Sequence, residues 1–284
     1  MTRLFALALL AMWATTLQPG GSATAAAPLS ADRLVDKVIE VRTTSGFRIR
    51  ATLTRTTLGS DAKDVRQLSI MGRRSPAGSS VLYQQLWPAV PGGRALVIEQ
   101  RPPHRLTGFL FESGTVTPLT DEMSGERFFG SDVQLEDVAE TFWHWPSRQR
   151  AGEEFIGEDH TVIVDLRPGP GTPSTYSLVK AWISPDRAVA LRAQMFGRDG
   201  RLLTQVGSYR VLRVGDRWIP AILTVEPANK QSRTVIEGVR IESVPPMPAS
   251  AFTVGAVRKL VGQPARSSQN FQLHQTPPRH ITAP

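Results

Sequence analysis

Phe47-Arg48-Ile49-Arg50-Ala51-Thr52-Leu53-Thr54 is the stretch that decides the fold class. Its apolar side chains, Phe47, Ile49, Ala51 and Leu53, recur at every second position with Arg or Thr between them. That is the period of a strand with one face buried and the other wet. Further strand-like runs lie at 65–71, 94–100, 106–112, 160–167, 176–183, 188–196, 202–214, 218–226 and 234–243. Short turn signals, Asp199-Gly200 and Gly215-Asp216 among them, join several of these runs. Such turns suit hairpins and leave no room for the crossover helices that parallel strands require. The expectation is a mainly β (α+β) domain built on an antiparallel meander.

Two helical segments flank and interrupt this pattern. Before Phe47, residues 31–41 carry an apolar stripe of Leu34, Val35, Val38 and Ile39, with Ser30 as N-cap and Leu29 and Leu34 at the spacing of a hydrophobic staple. Within the body, 131–145 places Val133, Leu135, Val138 and Phe142 on one helical face, and Pro146 ends the run. Pro168, Gly169, Pro170, Gly171 and Pro173 make a stiff loop between two strands.

The N-terminus reads as an export signal. Arg3 supplies the positive start, 4–17 an apolar run short of a membrane span, and Ala23 and Ala25 the small residues of a cleavage site. We expect a signal peptide over 1–25, a folded domain over 28–254 and a disordered basic tail over 255–284. No later segment is long and apolar enough to cross a bilayer as a helix. The chain has no Cys, which removes both a disulfide framework and the lipidated cysteine of a lipoprotein. A soluble periplasmic protein is expected.

The formal net charge of +8 is concentrated near the C-terminus, where no acid follows Glu242 while Arg258, Lys259, Arg266 and Arg279 do. This distribution describes a solvated basic tail and not a nucleic-acid surface. Catalytic patterns are missing: there is no G-x-S-x-G elbow, no cysteine nucleophile, no H-E-x-x-H and no phosphate-binding loop. His104, His144 and His160 have no metal-ligand spacing, so neither a metal nor a cofactor is expected. The densest polar cluster, Glu153, Glu154, Glu158, Asp159 and His160, reads as a solvated hairpin, and a hydrolase using Glu154 and His160 is the least favoured reading.

Aromatics are more informative. Phe128, Phe129, Phe142, Trp143 and Trp145 crowd around the internal helical segment, either sealing the core or walling a cavity for an acyl chain. The run 218–225 is apolar on both faces, with Trp218 and Ile222 opposing Ile219, Ala221, Leu223 and Val225. A sheet with only one buried face alternates more cleanly. Either both faces are covered, or one is concave and holds apolar cargo.

Gly130-Ser131-Asp132-Val133-Gln134-Leu135-Glu136-Asp137-Val138 resembles the G-S-D-[aromatic]-S-[aromatic]-E-D-[apolar] motif of the LolA-like outer-membrane lipoprotein-sorting proteins. Further matches follow in the family's order: Gly152-Glu153-Glu154, Ala181-Trp182-Ile183-Ser184, Ala190-Leu191-Arg192, Asp199-Gly200-Arg201, Arg217-Trp218-Ile219-Pro220 and Ala251-Phe252-Thr253-Val254. The resemblance covers 128–254 well and the N-terminal third loosely.

It implies a curved antiparallel sheet forming an incomplete β-barrel wrapped around a few helices, with an apolar cavity that accepts lipid or lipoprotein acyl chains. Gly130, Ser131, Asp132 and Asp137 match the motif, with the implied role of shaping and capping the internal helix. Gln134 stands where the family has Ser, which moves the expected cap to Ser131 or Asp132. No catalytic residue is implied. The first expectation is therefore a non-enzymatic periplasmic carrier with Leu135, Val138, Phe142, Trp143, Trp182, Met195 and Trp218 as cavity residues. The second is an adaptor with a filled core that docks onto a membrane exporter. Cavity volume separates the two.

Overall fold

The computed structural model describes residues 29–43, 46–75, 78–215 and 217–262. The expected signal peptide and the stretch from 263 onward lie outside them. Helix α1 (Ala31–Thr43) opens the described chain. The Ser30 hydroxyl accepts the Arg33 N–H at 3.3 Å, and Leu34, Val35 and Val38 are fully buried. Six strands follow, β1 (Gly46–Thr57), β2 (Lys63–Ser75), β3 (Gly78–Trp87), β4 (Arg94–Gln100), β5 (Thr107–Glu112) and β6 (Thr115–Pro118). A crossover over 119–146 contains the short helix α2 (Leu135–Ala139). Then come β7 (Ser147–Ile156), β8 (Asp159–Arg167), β9 (Leu178–Ser184), β10 (Val189–Phe196), β11 (Leu202–Val214), β12 (Arg217–Pro227), β13 (Ser232–Val244) and helix α3 (Val254–Val261).

All thirteen strands belong to one antiparallel sheet in the order β6-β5-β4-β3-β2-β1-β13-β12-β11-β10-β9-β8-β7. It is two meanders joined by β1 and β13, whose register runs from Gly46 opposite Val244 to Thr57 opposite Ser232. The two edge strands, β6 and β7, are thus consecutive in sequence. Twelve strand spacings of about 4.8 Å would separate them by roughly 58 Å in a flat sheet. The sheet is not flat: the crossover joins the two edges across the inner face, and the sheet curls around it without closing.

Three apolar clusters follow from this arrangement. Phe128, Phe129, Val133 and Leu135 of the crossover pack on Leu53, Leu68, Leu96 and Val225. Phe142, Trp143 and Trp145 join the α1 stripe against Val164, Val179 and Ile183. On the opposite face, Phe252 and Val257 cover Leu82, Ala95, Val97 and Phe111. Strands β3 to β5 are therefore buried on both sides.

Several expectations need correction. The helix expected over 131–145 is broken: Gln134 is extended, α2 stops at Ala139, Glu140 takes φ 53°, and Thr141–His144 forms a 3-10 turn. The folded body continues past residue 254 through α3, whose Val257 is fully buried. Strands β3 and β6 had no counterpart among the expected runs, and β7 was expected only at its acidic end, as one arm of a hairpin with Glu153 and Glu154.

Candidate functional site

The site is built where the crossover stands away from the curved sheet. A cavity of about 310 Å³ lies between them. Val133, Val138, Phe142 and Trp143 form its crossover wall. The sheet supplies Phe47 and Ile49 from β1, Leu68 and Ile70 from β2, Met195 from β10, Val206 from β11, Leu223 and Val225 from β12, and Ile236 from β13. Alternation explains the set, since residues directly opposite one another share a face. Ile49 stands opposite Ile70, Val206 opposite Val225, and Leu223 opposite Ile236. The few polar lining groups are Asp137, Glu140, Arg192, Ser208 and Arg217, with the Tyr83 hydroxyl.

The acids of the Gly130–Asp137 motif hold the crossover in place. The Asp132 carboxylate accepts from Arg55 Nε at 3.0 Å, Ser232 Oγ at 2.7 Å and Thr234 Oγ1 at 2.9 Å, pinning the segment to β1 and β13. Glu136 accepts from Ser174 Oγ, and from Thr175 N–H and Oγ1 at 2.8 and 2.7 Å. Asp137 accepts the Gln134 N–H at 2.8 Å and the Tyr176 hydroxyl at 2.7 Å. The helix cap is accordingly Gln134 with Asp137, not Ser131 or Asp132. Ser131 instead donates to the Phe128 carbonyl at 2.7 Å and accepts the Val133 N–H at 3.2 Å, shaping the turn that precedes the helix. Gly130 adopts φ +74° there, the left-handed region that a side chain disfavours.

Burial pushes the Asp137 carboxyl up to about 6; its hydrogen bonds oppose this, and Glu136 and Glu140 add to it. Burial and the neighbouring Asp137 charge push the Tyr176 phenol up as well. Tyr176 therefore stays a neutral hydroxyl.

Of the residues singled out from sequence, Val138, Phe142, Trp143, Met195 and Trp218 meet in the cavity lining. Leu135 lies in the packed cluster beneath it. Trp182 sits on the other face of the sheet: its indole N–H donates to Glu154 at 2.6 Å, and the Arg192 guanidinium stacks 5.1 Å from its ring. Its neighbours Ala181 and Ile183 point inward instead. The sequence reading did not single out Phe47, Ile49, Ile70, Val206 and Ile236 as cavity residues. Alternation marks such residues as inward, but only the sheet's curvature separates those facing a cavity from those in a filled core.

The acidic cluster around His160 is a β7–β8 hairpin. Glu154 pairs with Arg192 at 3.2 Å, Glu153 with His160 at 3.0 Å and Asp159 with Arg187 at 3.0 Å. These charges lie along the β7 edge and its neighbours, where they discourage strand addition.

Comparison with known proteins agrees with this architecture. A family model described as "Uncharacterized protein" matches residues 88–259. No curated protein matches the chain. Among solved structures, a DUF1329 family protein from Desulfovibrio piger aligns with a TM-score of 0.72 at 18% identity, covering 80% of this chain and 97% of that one. A putative outer membrane lipoprotein-sorting protein domain from Vibrio parahaemolyticus aligns at 0.71 and 13% identity, covering 79% and 97%. A LolA superfamily protein from Nitrosomonas europaea gives 0.63 and 18%, covering 80% and 98%. At such identities the likeness is one of fold. The chain belongs to the uncharacterized-protein family whose model spans residues 88–259, and its fold is LolA-like.

Proposed function

We propose that this protein is a non-enzymatic periplasmic carrier that shields the acyl chain of a lipid or lipoprotein in the cavity between its curved sheet and its crossover. The observation that carries the reading is the cavity itself, about 310 Å³ and lined mainly by apolar side chains. An apolar chain needs no directional chemistry to bind there, because each methylene removed from water contributes about 0.8 kcal/mol. An adaptor that carries nothing would be expected to have a filled interior. The likeness to lipoprotein-sorting folds is consistent with the carrier reading, and so is the leader-like N-terminus, which would route the chain to the periplasm.

The test is direct. Protein purified from its native envelope is extracted and the extract analysed for lipids by mass spectrometry, while the delipidated protein is titrated with a fluorescent fatty-acid probe. We expect stoichiometric acyl lipid in the first experiment and saturable uptake in the second, weakened at least tenfold by Val138→Asp. Absence of both lipid and uptake would overturn the reading.

A further inference from the structure

We propose that the outer face of strands β13, β1 and β2 is a docking surface for a bilayer containing anionic phospholipids, contacted through Arg48, Arg50, Arg73 and Arg240. Phe47 and Ile49 line the cavity, so the alternate residues of β1, Arg48 and Arg50, lie on the other side of the sheet. Strand β1 keeps an unbroken register with β2 from Phe47 to Thr56, and both arginines are exposed. On β2, Met71 stands opposite Arg48 and packs with the outer cluster around Phe252, which places Arg73, two residues on, on that same side. On β13, Glu242 stands opposite Arg48 and Arg240 opposite Arg50.

This arrangement is unfavourable for the protein by itself. Like charges directly opposite one another on a sheet face destabilise it, and Arg50 faces Arg240. Glu242 is the acid placed to relieve Arg48, yet it is drawn along its own strand to Arg240, whose Nε and Nη2 lie 2.7 and 2.6 Å from its Oε1. Glu237, further along β13, goes to Arg210 at 3.7 Å. Among the described residues no acid pairs with Arg48, Arg50 or Arg73, and their charges stay uncompensated. Helix α3, on the same outer side, adds the exposed Arg258 and Lys259.

The partner follows from this chemistry. A guanidinium fork matches phosphate oxygens, and several of them spread over an open sheet face suit a surface of many phosphates better than one small ligand. Val239, skipped in the β13 ladder next to Arg240 and half exposed, adds an apolar contact for the layer beneath the head groups. Strand β1 carries the cavity wall on one side and the arginines on the other, so docking sets the cavity beside the bilayer surface. The inference goes beyond the carrier reading: it concerns where the protein stands, and it holds or fails whatever the cavity binds.

Flotation of the delipidated full chain with vesicles of phosphatidylcholine, alone or mixed with phosphatidylglycerol, tests this. Binding to the mixed vesicles is expected to be about tenfold tighter or more, and to vanish as salt rises from about 0.1 to 1 M and the screening length falls from about 10 to 3 Å. A basic residue near an anionic surface strengthens binding about fivefold, so Arg48→Gln combined with Arg50→Gln should weaken it roughly twenty- to thirtyfold. Both side chains are exposed, and an unchanged urea midpoint will report an intact fold. Arg266→Gln combined with Arg279→Gln, in the C-terminal stretch, should weaken binding less than the β1 pair does. No preference for the mixed vesicles, as expected if the partner is an acidic protein, overturns the inference. So does a preference that survives the β1 pair, or one that the C-terminal pair reduces more. None of these outcomes touches the carrier reading, which stands or falls on lipid content and probe uptake.

Discussion

Asp137 shows how one carboxyl can link the stability of this protein to pH. Its residual exposed surface faces the cavity, and burial raises its titration point from the ordinary 3.8 to about 6. Between those values the folded state keeps a proton that the unfolded chain has released. Stability therefore falls as pH rises through that window, and the full penalty remains above it, of the order of 3 kcal/mol at most. Both protonation states find partners. Ionised, Asp137 accepts the Tyr176 hydroxyl; protonated, it can donate to that oxygen while Tyr176 turns its proton to Gln134 Oε1, 3.1 Å away. Asparagine reproduces the protonated pattern and still accepts the Gln134 N–H. Asp137→Asn is expected to be at least as stable as wild type at pH 8, and to lose the decline between pH 4 and 6. His104 works in the opposite sense: burial lowers its pKa, so charging it below pH 6.5 costs stability. The decisive measurement is thus the difference between variant and wild type in urea unfolding across pH 4 to 8. Parallel profiles would sink this account.

At the scale of elements, the crossover behaves as a strut fastened by buried acids. Removing the Asp132 side chain leaves Arg55, Ser232 and Thr234 without their shared acceptor. Losing one partner of a buried ion pair costs about 3 to 5 kcal/mol, so Asp132→Ala should lower the urea midpoint sharply; a loss below 1 kcal/mol would mean that the strut is held by packing alone. Strand β2 offers a second probe. A Cβ on Gly72 would lie 2.1 Å from the Phe47 ring, which lines the cavity. Gly72→Ala should push that ring into the cavity, weakening fatty-acid probe binding severalfold at a stability cost of about 1 to 3 kcal/mol. Unchanged probe binding would place the ligand elsewhere. The same elements show what the sequence could and could not reveal. Strand β1 was legible because one face is buried and the other wet. Strand β3 was not, because Val81 and Leu82 are both buried and alternation vanishes. The edge strand β7 is mostly polar on both faces, so only its acidic end, Glu153 and Glu154, was legible, as the arm of a hairpin. The crossover reads as one helix because Val133, Leu135, Val138 and Phe142 are spaced like one. Asp132 breaks that pattern by binding strands about a hundred residues away, a contact no local period encodes.

For the molecule as a whole, the open sheet creates a problem that its C-terminal segment solves. The crossover fills only the inner face, so the outer apolar face of β3 to β5 would be left bare. Phe252 and Val257 cover it, over Leu82, Ala95, Val97 and Phe111. Composition alone ended the body at residue 254, because the stretch beyond is rich in polar residues and Pro; the isolated apolar positions Val257, Leu260 and Val261 gave α3 too short a signal. Helix α3 is eight residues long and could not persist in water by itself, so its order must come from this packing. The Thr253 hydroxyl, accepting the Ala256 N–H at 3.3 Å, fixes where it starts. Covering the outer face also bears on the cavity, since β3 presents Val97-facing Leu82 outward and cavity-lining Tyr83 inward. Phe252→Ala is expected to cost about 3 to 5 kcal/mol, the range for emptying a buried aromatic site. A chain ending at Thr253 should lose at least as much and expose the outer face, seen as increased binding of an apolar surface dye. Thr253→Ala removes the cap together with the hydroxyl's bond to the Ser250 carbonyl, and should cost about 1 kcal/mol. If the shortened chain unfolds at the same urea concentration as the full chain, α3 is an ornament and β3 to β5 need no cover.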